Sequence, residues 1–232
     1  MDNQNSLTIK LDGVCLDAAT QRGELRRILH PVSVELAQRT VAVVGANGSG
    51  KSTLLRLIAG LVDPTAGQVS FAPAVPRAGF IFANPQAQIV MPVVIEDIEF
   101  SLKQVGMARS QRRAAALQIL AEAGLADRAE SSVYELSSGE RQKLALAGVL
   151  AVQPELVLAD EPTTLLDLRA AAEFQQRLLG LPVPVIVATH DLNFAAQAER
   201  VLVFDAGELV ADDEPAAAIG RYKRLALSQR QP

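Results

Sequence analysis

Cysteine occurs once in the 232 residues, at Cys15, so no internal disulfide framework holds the chain together. A surplus of positive charge is lacking as well. The 22 lysines and arginines stand against 26 acidic residues, a net charge of −4, so no global field draws the chain to nucleic acid, and an anionic ligand has to be held by local geometry. Long hydrophobic runs are missing: the longest, Leu144 to Val152, is about half the roughly 20 residues that a membrane-spanning helix requires. The opening MDNQNSLTIK has no apolar stretch of the secretory kind, and no internal repeat or low-complexity tract is visible. These absences point to the cytoplasm, and to partners as the route to any membrane. What is present is apolar material, 49% of the residues, enough for one sizeable core and hardly for two. A single domain over 1–232 is the expectation.

The apolar pattern alternates between two periods. Thr40 to Val44 is a β-branched run that stops at Gly45, as a buried strand does, and Ser52 to Leu61 then carries leucines at helical spacing. Further strands are predicted at Ala78 to Phe82, Leu156 to Ala159, Val183 to Ala188 and Arg200 to Phe204. Helical patterns fill 110–123, 139–152, 167–179 and 192–198, the alternation of an α/β fold with a largely parallel sheet. Before residue 40 the pattern is that of antiparallel strands. From 84 to 136 no strand is convincing, which marks a helical subdomain, about 84–150, inserted in the sheet core.

The strongest chemical signal lies between the first of these strands and its helix. Gly45-Ala46-Asn47-Gly48-Ser49-Gly50-Lys51-Ser52-Thr53 fits the phosphate-loop spacing, in which glycines let successive N–H groups curl around phosphate oxygens. Lys51 then faces the β and γ phosphates, Ser52 offers a hydroxyl to Mg²⁺, and the helix aims its N-terminus at the anion. An ordinary Gly/Ser turn needs neither the lysine nor the serine at these offsets. A second signal is the strand LVLA, which delivers Asp160 and Glu161 at its carboxyl end, the edge of a parallel sheet where ligands bind. Asp160 suits the Mg²⁺ shell, and Glu161 suits the orientation or deprotonation of an attacking water. Standing alone, the pair would equally be a solvated acidic turn before Pro162.

The third signal is Leu136-Ser137-Ser138-Gly139-Glu140. Ser137 and Glu140 form a capping box, which starts helices in ordinary proteins. The same turn also presents N–H groups to an anion, and since residues 45–53 already supply one phosphate site, a second implies a second subunit. LSSGE resembles the LSGGQ signature of ATP-binding cassette (ABC) ATPases, and the resemblance covers nearly the whole chain. It implies a P-loop NTPase fold of the ABC type and ATP hydrolysis with Mg²⁺. It further implies a D-loop at Thr164 to Asp167, a switch histidine at His190, and a head-to-tail dimer with a second, identical or homologous, cassette. Each ATP would lie between Lys51, Ser52, Asp160, Glu161 and His190 of one cassette and Ser137, Ser138 and Gly139 of the other. His30, with no motif around it, keeps a structural reading.

Within that family, the segment from Asn84, NPQAQIVMPVVIEDIEFSL, is similar to the NPxxQ region of energy-coupling factor transporter ATPases, which drive vitamin and metal-ion uptake. The resemblance implies a transmembrane coupling subunit, a substrate-capturing membrane protein and a place on the cytoplasmic side of the membrane. The short C-terminus is similar to the biotin-type member. Cobalt or nickel import and a soluble scaffold ATPase, as in iron–sulfur cluster assembly, remain open. A chromosome-organising cassette would need a long coiled coil between phosphate loop and signature, and the intervening stretch of about 80 residues has no heptads. The acidic run Glu96-Asp97-Ile98-Glu99 opens a helix, and the resemblance places a groove for a membrane-subunit helix beside it. Charge reversal at Asp97 and Glu99 is therefore expected to uncouple transport in a folded protein. Two departures stand out: no aromatic residue occupies Cys15 to Ala18, where adenine would stack, and Ala83 stands where the family has its Q-loop glutamine. Gln86, three residues on in a turn opened by Asn84-Pro85, is the expected replacement at the metal.

Overall fold

The computed structural model describes residues 7–19 and 23–228. The chain divides into two compact units, one built from residues up to Pro76 together with those from Pro182 onward, the other from Arg77–Leu181.

The first unit begins as a three-stranded antiparallel sheet. β1 (Thr8–Ala19) lies between β2 (Leu25–Leu36) and β4 (Ala66–Ala72). Val32, Val34 and Leu36 alternate with exposed residues along β2, so one face is buried as the period of two requires. A second set of strands runs in the order β7 (Val185–Ala188), β3 (Thr40–Gly45), β8 (Arg200–Asp205) and β9 (Glu208–Asp213). β3 is parallel to both β7 and β8, and β9 returns antiparallel to β8. Every residue of β3 and β7 is buried, which is why their sequences read as unbroken apolar runs rather than alternating ones. The helices are α1 (Lys51–Ile58), the short α6 (Leu192–Ala195) and α7 (Pro215–Ser228), whose Ala218 and Ile219 are buried. β4, β9 and α7 were not predicted: β4 and β9 are short edge strands with few buried residues, and α7 buries only a narrow stripe.

The second unit holds a parallel pair, β5 (Ala78–Ile81) with β6 (Leu156–Asp160), and four helices: α2 (Val94–Gln104), α3 (Arg109–Glu122), α4 (Ser138–Ala151) and α5 (Leu168–Leu179). Ile95, Ile98 and Leu102 of α2 meet Ala116 and Leu120 of α3 and Leu144 and Ala147 of α4 in one buried cluster. Truncating a side chain such as Ile98 to alanine there is expected to cost about 2–5 kcal/mol. Gly79 lets α4 approach β5, since a Cβ at that position would lie 2.4 Å from Val149 Cγ1. The helical stretch expected at about 84–150 lies wholly in this unit, which also contains two strands and α5.

Candidate functional site

The loop after β3 is shaped by what its glycines exclude. A Cβ at Gly45 would stand 2.2 Å from the Phe204 carbonyl oxygen and 2.4 Å from Ser49 Oγ. Gly48 and Gly50 take φ of 78° and 103°, a region side chains rarely adopt. The loop is braced from behind: Gly207 N–H donates to Ser49 O at 3.1 Å, and His30 N–H donates to Gly207 O at 2.8 Å. His30 itself lies 3.7 Å from Glu208. Lys51 is buried and folds over the loop, its Nζ donating to Gly45 O at 2.9 Å and Ala46 O at 3.1 Å. α1 starts at Lys51, so the positive end of its dipole lies in the loop. Ala46 and Asn47 are exposed at the tip, while Ser49 Oγ is buried with no hydrogen-bond partner.

A buried orphan oxygen, a lysine and a helix N-terminus on a glycine cradle fit a phosphate chain. A cavity of about 410 Å³ opens beside them, lined by Gly48, Gly50, Lys51, Ser52, Thr53 and Ala206, with Arg26, Arg27 and Ile28 of β2. Sequence reasoning missed the two arginines, because no spacing rule connects residue 27 to residue 51. His190 is exposed just beyond the carboxyl end of β7, the strand that pairs with β3, so it shares the carboxyl edge of that sheet with Gly45. Its neighbour Asp191 caps α6 through Asn193 N–H and Phe194 N–H.

In the second unit, β6 ends on buried Asp160, and Glu161 follows with φ of 48°. A bulky residue in the left-handed region immediately before Pro162 is strained, a cost that proteins concentrate at functional positions. Thr164 Oγ1 lies 3.5 Å from the Glu161 carboxylate. Asp167 caps α5 by accepting from Ala170 N–H at 2.8 Å.

The capping box at α4 is present in full: Ser137 Oγ accepts from Glu140 N–H at 3.2 Å, and Glu140 accepts from Ser137 N–H at 2.8 Å. Those bonds to Ser137, with Arg128 3.2 Å away, hold the Glu140 carboxyl below its usual range. Ser138 and Gly139 are half-buried on the first turn.

The NPQAQ segment gives its two glutamines different fates. Asn84 accepts from Gln86 N–H at 3.0 Å and starts a 3₁₀ turn, as predicted, and Gln86 is exposed on it. Gln88 is the bonded one, donating to Ala145 O of α4 at 3.1 Å and accepting from Phe82 N–H at 3.4 Å. Asp97 departs from its expected surface role. It is buried, and its Oδ1 accepts from Val90 N–H at 2.8 Å and Met91 N–H at 3.0 Å, so its charge reversal would tear the loop from α2. Burial pushes its carboxyl pKa up against the opposing pull of those two N–H bonds. Gln86, Met91, Pro92, Val133, Tyr134 and Arg141 contribute to the lining of a groove of about 320 Å³. Arg141 in turn donates to Leu136 O, just ahead of the signature turn.

Among the described residues no cluster of three or more His, Cys, Asp or Glu side chains is placed to hold a metal, and no helix is long and apolar enough to cross a membrane. Mg²⁺ commonly takes only one or two protein carboxylates and draws other ligands from phosphate and water.

The chain is similar to proteins already known. The profile of the ABC transporter family matches residues 29–164. The biotin transport ATP-binding protein BioM of Rhizobium etli is 42% identical over 209 residues, 87% of this chain and 93% of that protein. The energy-coupling factor transporter ATP-binding protein EcfA1 of Halalkalibacterium halodurans is 33% identical over 199 residues, 80% of this chain and 72% of that one. The nickel import ATP-binding protein NikO of Rhodobacter capsulatus is 35% identical over 224 residues, 87% and 88% of the two chains. Among solved structures, the dimeric ATP-binding cassette MJ0796 in a post-hydrolysis state with ADP and Pi superposes with a TM-score of 0.78 at 28% identity, covering 89% of this chain and 98% of that one. With its phosphate loop, acidic strand end and capped signature turn in family order, the chain belongs to the ABC transporter family, as an ATP-hydrolysing cassette.

Proposed function

We propose that this cassette powers a membrane importer of biotin. The phosphate-loop cleft, with Lys51 fixed over the carbonyls of Gly45 and Ala46, carries the reading of ATP as fuel. The 42% identity to BioM over most of both chains supports the choice of cargo. In this reading the N–H groups of residues 45–53 and the Lys51 ammonium cradle the phosphates, and Ser52 and Asp160 would hold Mg²⁺, with Gln86 as a third donor. Mg²⁺, when bound, neutralises phosphate charge. Glu161 takes the proton of the attacking water, His190 steadies the γ-phosphate, and water's oxygen bonds to phosphorus as ADP leaves. The Ser137–Glu140 turn of a second cassette closes the site in a head-to-tail dimer, with Asp167 at the seam.

The groove beside Gln86 and Arg141 receives a short helix of the transmembrane coupling subunit, at the cytoplasmic side of the membrane. Exposed Val90 and Tyr134 at its rim, 63% and 80% accessible, suit such a partner. The 35% identity to NikO favours nickel as the second candidate cargo. Purifying the chain with its membrane subunits and measuring ATP-driven uptake into proteoliposomes decides between them. Biotin uptake is expected. Nickel uptake without biotin uptake, or a complex that contains no membrane protein, would overturn the proposal.

A further inference from the structure

ABC cassettes of the kind this sequence resembles stack adenine on an aromatic ring, and this chain has none to offer in that place. No Phe, Tyr or Trp precedes Phe71. Phe71 sits on β4 opposite Ile9, and Asp17 lies eight residues further along β1 from Ile9, a span of roughly 25 Å at strand rise. No aromatic of the three-stranded sheet therefore reaches the Asp17 end of β1, the end whose partner Arg27 lines the phosphate-loop cavity.

Another flat group does occupy that end. Asp17 and Arg27 are directly opposed across β1 and β2. Arg27 Nε donates to Asp17 Oδ1 at 2.5 Å, and its terminal nitrogen donates to Oδ2 at 3.1 Å. Two parallel bonds between a planar guanidinium and a planar carboxylate fix the plane of both, as one bond would not. The pair is anchored from β1 as well, because Asp17 N–H donates to Thr65 Oγ1 at 2.8 Å and Thr65 N–H donates to Cys15 O at 2.9 Å. Arg27 and Ile28 line the same cavity as Gly48, Gly50, Lys51, Ser52 and Thr53. At about 410 Å³ that cavity falls in the range of small-molecule sites.

A guanidinium bound edge-on to a carboxylate keeps its two faces available, and those faces stack on nucleobases. The carboxylate also offsets the charge that would otherwise draw the guanidinium to the phosphates. We infer that the Arg27–Asp17 pair is the base-stacking platform of this cassette, standing in for the missing aromatic ring. Arg27 supplies the stacking face, Asp17 holds it flat, and Ile28 provides the apolar edge. Arg26, exposed beside it, makes no such fork among the described residues and is not the platform. The inference rests on the reading that the phosphate loop takes a nucleotide, and it adds the group that recognises the base.

Titration calorimetry with ADP and with inorganic pyrophosphate separates the two readings, because pyrophosphate has no base to stack. Arg27→Ala is expected to weaken ADP binding about tenfold and to leave pyrophosphate binding within about twofold. Arg27→Tyr should restore most of the lost ADP affinity, which a merely misfolded or charge-depleted protein would not show. Asp17→Ala should give a smaller loss of the same kind. Unchanged ADP affinity in Arg27→Ala, an equal loss for both ligands, no rescue by tyrosine, or a loss that appears in Arg26→Ala instead would each overturn the platform. A wild-type protein that binds neither ligand would overturn the nucleotide reading itself.

Discussion

The side-chain amide of Gln88 ties the loop after β5 to the helix that begins at the signature turn: it donates to Ala145 O at 3.1 Å and accepts from Phe82 N–H at 3.4 Å. Ala145 is two turns into α4, whose first residues are Ser138 and Gly139. A movement imposed on residues 82–91 is expected to reach α4 through this amide. Gln88→Ala removes a contact worth about 1 kcal/mol and is expected to lower substrate-stimulated hydrolysis in the assembled complex about fivefold. Hydrolysis by the isolated chain should change by less than about twofold. An equal loss in both preparations would make Gln88 a residue of the catalytic site instead.

Gln86 is expected to act at the metal, because Ala83 has only a methyl group where the family has a glutamine. Gln86→Ala should lower transport-coupled hydrolysis by roughly an order of magnitude, and adding Ala83→Gln should restore part of it. Full activity in the single variant would leave water as the metal ligand.

Glu161 is held in a strained backbone conformation directly after the buried Asp160. Glu161→Gln keeps the shape and removes the base, so ATP binding should persist while turnover falls by about two orders of magnitude or more. ATP-bound dimers should accumulate on a sizing column. Steady-state hydrolysis within about threefold of wild type would sink the assignment.

Lys51 and Ser138 separate the two halves of the proposed sandwich. Lys51→Ala should abolish tight nucleotide binding, since the buried ammonium over the loop is lost. Ser138→Arg should bind ATP as the wild type does and yet remain monomeric in its presence, because a long side chain fills the turn meant for the other cassette's nucleotide. Light scattering with and without ATP distinguishes these outcomes, and loss of binding in both variants would contradict a two-subunit site.

Asp97 carries a pH signature. Its folded pKa is raised by burial, so the folded state prefers the protonated carboxyl; stability from this group is full below the ordinary carboxylate range and is lost as pH rises through the folded value. Asp97→Asn keeps an acceptor for Val90 and Met91 N–H and removes the charge. It is expected to raise the Tm at neutral pH by a few degrees at most and to lose that advantage in acid, whereas Asp97→Ala should lower the Tm at every pH. A Tm advantage of Asp97→Asn that grows in acid would contradict the sign.

What lay open in the sequence was whatever is local. The apolar run Thr40–Val44, the glycine offsets of 45–53, the capping box at Ser137 and Glu140, and the Asx turn at Asn84 are each set by neighbouring residues, through sterics and short-range hydrogen bonds. Each appears in the structure within a residue or two of its predicted place. The edge strands β4 and β9 escaped notice because half-exposed strands carry little apolar signal, and their place is decided by the pairing partner.

Tertiary structure decided which side chains meet. Asp97 looked like surface charge at a helix start, and only the fold of the loop over α2 shows that its carboxylate is buried on the N–H groups of Val90 and Met91. Gln88 and Ala145 are 57 residues apart, and Arg27 comes to the phosphate loop because β2 runs beside it. The sequence by itself determined a nucleotide-binding α/β cassette, since a phosphate loop is a local motif whose chemistry travels with its spacing. Which flat group faces the base, which glutamine grips the signature helix and which carboxylate is structural depend on strand register and helix packing, and those are long-range choices that no local pattern encodes.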